Sequence, residues 1–145
     1  MAITLRMDYN ITPEVSIQYY GSPFATVGKY SQFKRITEYR ANNYHNRFTE
    51  LKPSLNGNTY EVAENNNASS DYNFWNPNFD FSQFRSNLVF RWEYRPGSQF
   101  NFVWSQDRTA FVQPGSQVLS NGMSSLKDIF PNNIFLIKFN YWFSI

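Results

Sequence analysis

Apolar and polar residues alternate with period two in five separate stretches of the chain. In Ala2–Ile11, Ile3, Leu5, Met7 and Tyr9 fall on one side and Thr4, Arg6 and Asp8 on the other. In Glu14–Gly21, Val15, Ile17 and Tyr19 oppose Ser16, Gln18 and Tyr20. In Phe84–Tyr94, Leu88, Phe90, Trp92 and Tyr94 oppose Asn87, Val89, Arg91 and Glu93. In Gln99–Gln106, Phe100, Phe102 and Trp104 oppose Asn101, Val103 and Ser105. The last stretch, Ile134–Ile145, sets Phe135, Ile137, Phe139, Tyr141, Phe143 and Ile145 against Lys138, Asn140 and Ser144. This periodicity predicts five strands, over 2–11, 14–21, 84–94, 99–106 and 134–145.

The connections alternate in length. "ITPE" and "RPGS" are tight turn signals at Ile11–Glu14 and Arg95–Ser98. Between them lie long segments at 22–83 and 107–132. A tilted strand of about 9–11 residues crosses a bilayer. Outer-membrane barrels pair short periplasmic turns with long extracellular loops. The expected fold is therefore all-β: an antiparallel up-and-down meander of about five transmembrane strands. It forms the C-terminal part of an outer-membrane β-barrel, a fragment that is not closed by itself. The smallest such barrels have about eight strands. "MAITLRMDYN" also lacks the apolar core of a signal peptide. Both points lead to the expectation that Met1 is an internal or truncated start.

Composition sharpens this picture. Mean hydropathy is −0.56, yet aromatic residues make up 20% of the chain. Alternating lipid-facing and lumen-facing positions produce that combination, because the two kinds cancel in an average. No run of eighteen apolar residues is present, so no transmembrane helix is expected. The formal charge of +2 is dispersed, with no basic stripe to neutralise phosphates, which argues against nucleic acid as a partner. Cysteine is absent, which removes disulfides and thiolate metal sites.

The stretches "YNITPEVSIQYYGSPF", "GKYSQFKRIT", "NPNFDFSQFRSNLVFRWEYRPGS", "FVWSQ" and "FLIKFNYWFSI" together resemble one family. It is the C-terminal β-barrel domain of unknown function found in Gram-negative outer-membrane proteins. Many of these carry an upstream family-9-like carbohydrate-binding domain. The resemblance spans nearly the whole chain, and "RSNLVFRWEYRPGS" is its most specific part. It implies an outer-membrane location, outer-membrane lipid as surroundings, and glycan handling through an upstream domain. The closing strand also resembles the signal read by the barrel-assembly machinery, with Phe139, Tyr141, Phe143 and Ile145 as its residues. Ile145 departs from the usual terminal Phe.

Candidate chemistry is sparse. By parity Arg6, Asp8, Arg91, Glu93 and Lys138 face the lumen. They either line a pore and set ion preference or form a salt-bridged plug that fixes register, and the mixed signs on single strands favour the plug. Lys34, Arg35, Tyr39, Arg40 and Tyr44 lie in a basic–aromatic run, which suits glycan or lipopolysaccharide contact or packing over the barrel mouth. His45 is the only histidine and reads as a solvated loop residue. "AENNNASSD" has some features of a calcium loop, through Asn65, Asn67 and Asp71. However, Ala63 and Ala68 occupy the positions that want a ligand and a Gly. No nucleophile elbow, phosphate loop or His–Glu pair is present, so no catalytic residue, metal or cofactor is expected. Two readings stand: a non-catalytic barrel segment in transport or surface binding, and a soluble all-β carbohydrate-binding module.

Overall fold

The structure is a computed structural model and describes residues 1–63, 70–116 and 118–143. In chain order the elements are β1 (Leu5–Thr12), β2 (Val15–Gly28), β3 (Lys34–Ile36), a 3-10 turn (Tyr44–Arg47), β4 (Phe48–Glu50), β5 (Ser54–Asn56), β6 (Thr59–Val62), β7 (Tyr72–Trp75), β8 (Phe79–Arg95), β9 (Ser98–Val112), α1 (Leu119–Ser125) and β10 (Asn132–Asn140). The fold is mostly β and every strand pairing is antiparallel.

One five-stranded sheet, in the order β1-β2-β8-β9-β10, dominates the molecule. It is open, with β1 and β10 at its edges. These are the five strands expected from the periodicity, but three run further than expected. β2 continues from Gly21 to Gly28, β8 begins at Phe79 and β9 ends at Val112. The segments 22–83 and 107–132 are therefore not loops throughout. β10 is shorter than expected and stops at Asn140.

β2 continues through Pro23 although that residue cannot donate to a ladder. Proline has no N–H to give a ladder. Its carbonyl still accepts from the Ile3 N–H at 3.1 Å. The Ser22 hydroxyl donates to the Ile3 carbonyl at 3.3 Å and replaces the missing donor.

The two tight turns are held by side chains. The Thr12 hydroxyl oxygen accepts from the amides of Glu14 and Val15 at 3.2 and 3.1 Å. At the β8–β9 turn, Gly97 takes φ +76°, a conformation that disfavours any residue with a Cβ. Its amide donates to the Glu93 carboxylate at 3.0 Å.

Two small sheets form in the long connection after β2. β3 pairs with β4, and β5, β6 and β7 make a meander. α1 packs against the far ends of β2, β8 and β9. Beneath it the row Ala25–Ser82–Ala110 is buried, at 2, 1 and 4% exposure. Closeness explains the small residues. A Cβ on Gly122 would collide with the Ser82 hydroxyl.

Candidate functional site

Strand register decides which side chains share a face, because residues directly opposite in an antiparallel pair point the same way. Met7, Tyr19, Leu88, Trp104 and Phe135 form one row across all five strands. Tyr9, Ile17, Phe90, Phe102 and Ile137 form the next. Val15, Trp92, Phe100 and Phe139 form a third. No charged residue interrupts these rows. Rings meet across them: Phe102 and Trp104 each stack on Phe135 at 6.2 Å, and Tyr94 stacks on Phe139 at 5.3 Å. Among the described residues no layer covers this face. Phe135, Ile137 and Phe139 are 62, 66 and 63% exposed, and the largest fully buried side chains among the described residues are Ser82 and Ser98.

The opposite face carries the polar and charged residues, with one apolar stretch, Val89–Val103–Leu136, in the row of Asp8 and Gln18. Asn10, Ser16, Arg91, Asn101 and Lys138 form one row, and Glu93, Gln99 and Asn140 another. Arg6, Tyr20, Asn87 and Ser105 lie further along, with the Arg6 guanidinium 5.6 Å from the Tyr20 ring centre. Between these rows Asp8 and Gln18 face a cleft of about 330 Å³ that Arg6, Tyr20 and Asn87 also line. The five candidates Arg6, Asp8, Arg91, Glu93 and Lys138 thus share one face.

They do not form the salt-bridged plug favoured from sequence. Among the described residues, Arg6, Asp8, Arg91 and Lys138 make no ion pair, and Glu93 is engaged by the Gly97 amide. The reason is spacing. Arg91 and Lys138 are like charges two strands apart in one row, and Glu93 turns toward its hairpin. An ion pair does form on this face, between Arg85 and Asp107 at 3.0 Å, across adjacent strands. Sequence reading missed it because Asp107 lay in a segment expected to be a loop.

The basic–aromatic run divides into separate parts. The Lys34 ammonium sits 4.1 Å from the Phe48 ring centre, and Tyr44 meets the same ring edge-on at 5.1 Å. Arg40 lies over the ring of its neighbour Tyr39 at 5.2 Å. Arg35 pairs in register with Thr49. His45 is exposed, its amide bonded to the Asn43 side chain at 3.0 Å.

A second cluster was not foreseen. Phe33, Tyr60 and Phe74 form a triangle with centroids 5.0–5.4 Å apart. It ties the β3–β4 hairpin to the β5–β7 meander. A groove of about 410 Å³ opens beside it, lined by Phe33, Lys34, Arg35, Leu51, Tyr72 and Phe74. The alternation in "TYEV" and "YNFW" was the signal that would have found Tyr60 and Phe74.

The long segments are pinned to the sheet by buried polar groups. The Asp80 carboxylate, 4% exposed, accepts from the Ser116 amide and hydroxyl at 2.6 and 2.7 Å. The Asn78 side chain, equally buried, accepts from the Tyr30 amide at 2.8 Å.

Of the expected assembly-signal residues, Phe139 lies in β10 in the third apolar row. Tyr141 and Phe143 follow the strand rather than continue it, and Ile145 lies outside the described residues. The chain leaves the sheet because other contacts take over. The Trp142 amide donates to the Ser98 hydroxyl at 2.9 Å, and Arg95 donates to the Tyr141 hydroxyl at 3.1 Å. Asn65 and Asn67 of the calcium-like stretch also lie outside the described residues. Asp71 is described, and its amide bonds the Val62 carbonyl at 2.8 Å. Among the described residues no three of His, Cys, Asp and Glu come together as metal ligands. The chain matches no protein-family model, no curated protein and no solved structure.

Proposed function

We propose that this chain is the C-terminal segment of an outer-membrane β-barrel of the family it resembles, with a non-catalytic role in transport or surface binding. The observation that carries this reading is the stack of three uninterrupted apolar rows on an uncovered sheet face. Water makes such a face costly, at about 25 cal/mol per Å² of apolar surface. Lipid removes that cost, and the polar rows behind it then face an aqueous lumen. The two open edges fit a barrel whose remaining strands come from elsewhere, since hydrocarbon does not tolerate unpaired strand edges. Tyr19, Trp104 and Phe135 share one end row, where an aromatic girdle is expected. In this frame Arg6, Asp8, Arg91 and Lys138 are pore-lining charges. The Phe33–Phe74 groove, with Lys34 and Arg35, is the surface-binding element, suited to a glycan or lipopolysaccharide. Phe139, Tyr141 and Phe143 serve recognition by the barrel-assembly machinery. An upstream glycan-binding domain would link the barrel to carbohydrate handling.

Envelope fractionation, followed by blotting against the Asn56–Ser70 region, tests the proposal. The expected result is an outer-membrane band well above 17.2 kDa whose mobility shifts on heating. A soluble band near 17.2 kDa would overturn it and favour a carbohydrate-binding module whose apolar face meets a partner.

A further inference from the structure

Between α1 and the far ends of β8 and β9 lies a cavity of about 320 Å³, lined by Phe84, Gln106, Arg108, Met123, Leu126 and Lys127. It opens on the same side of the sheet as the apolar rows, because Arg108 and Gln106 share the parity of Trp104 on β9. Arg108 is half-buried, and its Nε is fully buried with no hydrogen-bond partner. Its Nη1 reaches the Leu126 carbonyl at 3.4 Å, a long bond. A guanidinium stays charged at any physiological pH. Removing it from water without an anion is costly, and a charge-assisted bond to an anion offsets that cost.

Among the described residues no carboxylate pairs with Arg108. Asp107 points to the opposite face and holds Arg85. Asp128 follows Lys127 in the chain but does not line the cavity. Lys127 is exposed and adds a second positive charge at the cavity wall. Phe84, Met123 and Leu126 supply the apolar part of that wall, and Gln106 adds one neutral polar group. Two cations beside apolar side chains suit a ligand that is both anionic and greasy.

Position narrows the ligand further. Arg108 stands four residues beyond Trp104 on the same strand and face, about 13 Å along it and roughly 10 Å higher for a strand tilted near 40°. If Trp104 marks the edge of the hydrocarbon, Arg108 lies at headgroup depth. Phe130, 92% exposed and three residues after Lys127, offers an apolar anchor nearby in the chain. We infer that this cavity binds the phosphate headgroup of an outer-leaflet lipid, through Arg108 and Lys127. The inference rests on the barrel reading, because only that reading puts lipid against this face.

The test uses the full chain purified from the outer membrane in mild detergent, with retained phosphorylated lipid counted by native mass spectrometry. Arg108→Gln with Lys127→Gln is expected to lower retained lipid at least tenfold while heat-shifted mobility is unchanged. Arg108→Lys is expected to keep most of it. Lys127→Gln alone, at an exposed site that cannot disturb folding, is expected to give an intermediate loss. Unchanged retention in the double variant, with insertion intact, overturns the cavity assignment alone. A wild-type chain that never enters the membrane overturns the barrel reading and this inference with it. Displacement of the lipid by inorganic phosphate, as complete as by phosphorylated lipid, reduces the cavity to a general anion site and overturns the lipid assignment.

Discussion

The two halves of the central sheet use the same three strands in opposite ways. In one half the rows from Met7 to Phe139 carry large rings and branched chains, and none of the described residues covers them. In the other, the row Ala25–Ser82–Ala110 carries almost no side chain and is buried to 4% exposure or less beneath α1. An ordinary soluble domain inverts this, burying its rings and exposing its small residues. Where the chain supplies its own cover, the sheet is trimmed to let a helix approach. Where it supplies none, the sheet presents the bulk that an apolar medium would solvate.

That contrast predicts its own most sensitive break. Phe102→Lys lies mid-band on the apolar face, and it is expected to cost about 2–4 kcal/mol if the face meets lipid. Val112→Lys, on the same strand and face but ten residues on, should cost under about 1 kcal/mol because it lies beyond the band. Denaturant unfolding from lipid vesicles compares the two, and equal costs would erase the distinction between the halves. A smaller effect is expected from Gly122→Val, which drives a side chain into Ser82. Overpacking of this kind costs about 1–3 kcal/mol. Limited proteolysis should then cut near α1 while amide exchange in the apolar rows stays slow. Loss of protection throughout the sheet would mean that α1 supports both halves alike. The smallest effect belongs to Arg85→Ala. Its ion pair is 65% and 39% exposed at the side chains, and such pairs contribute about 0–1 kcal/mol. A shift in unfolding midpoint larger than that of Gly122→Val would show that the polar face, not the cover, organises the upper sheet.

Much of the apolar half was legible in the sequence. Period two assigned Leu88, Phe90 and Trp92 to one face, and register then aligned them with Trp104, Phe102 and Phe100. Turn chemistry at Pro13 and at Pro96–Gly97 located both hairpins. The covered half was not legible, for physical reasons. The second strand was expected to end at Gly21, and β2 runs on through Pro23, where the Ser22 hydroxyl bond to Ile3 stands in for the missing N–H. Ala25, Ser82 and Ala110 give a weak alternation signal because they are small, and they are small because of a helix far away in sequence. At the site level, parity grouped Arg6, Asp8, Arg91, Glu93 and Lys138 correctly by face. It could not tell a charge that caps a turn, such as Glu93, from one left facing open space.

The pairing of β2 with β8 runs without a bulge along all 14 residues of β2, from Val15↔Trp92 to Gly28↔Phe79. Each of these strands already has a partner joined to it by a tight turn. Those hairpins are local and close within microseconds in isolation, whereas the β2–β8 seam must first bring together the ends of a long excursion. Loop-closure cost therefore favours an order in which the two hairpins form before the long zipper. A zipper with no bulge slips in steps of two residues if its faces are to be kept. The Asn78 side chain, which accepts from the Tyr30 amide just past the end of that zipper, marks one register, because a slip of two residues would break that bond.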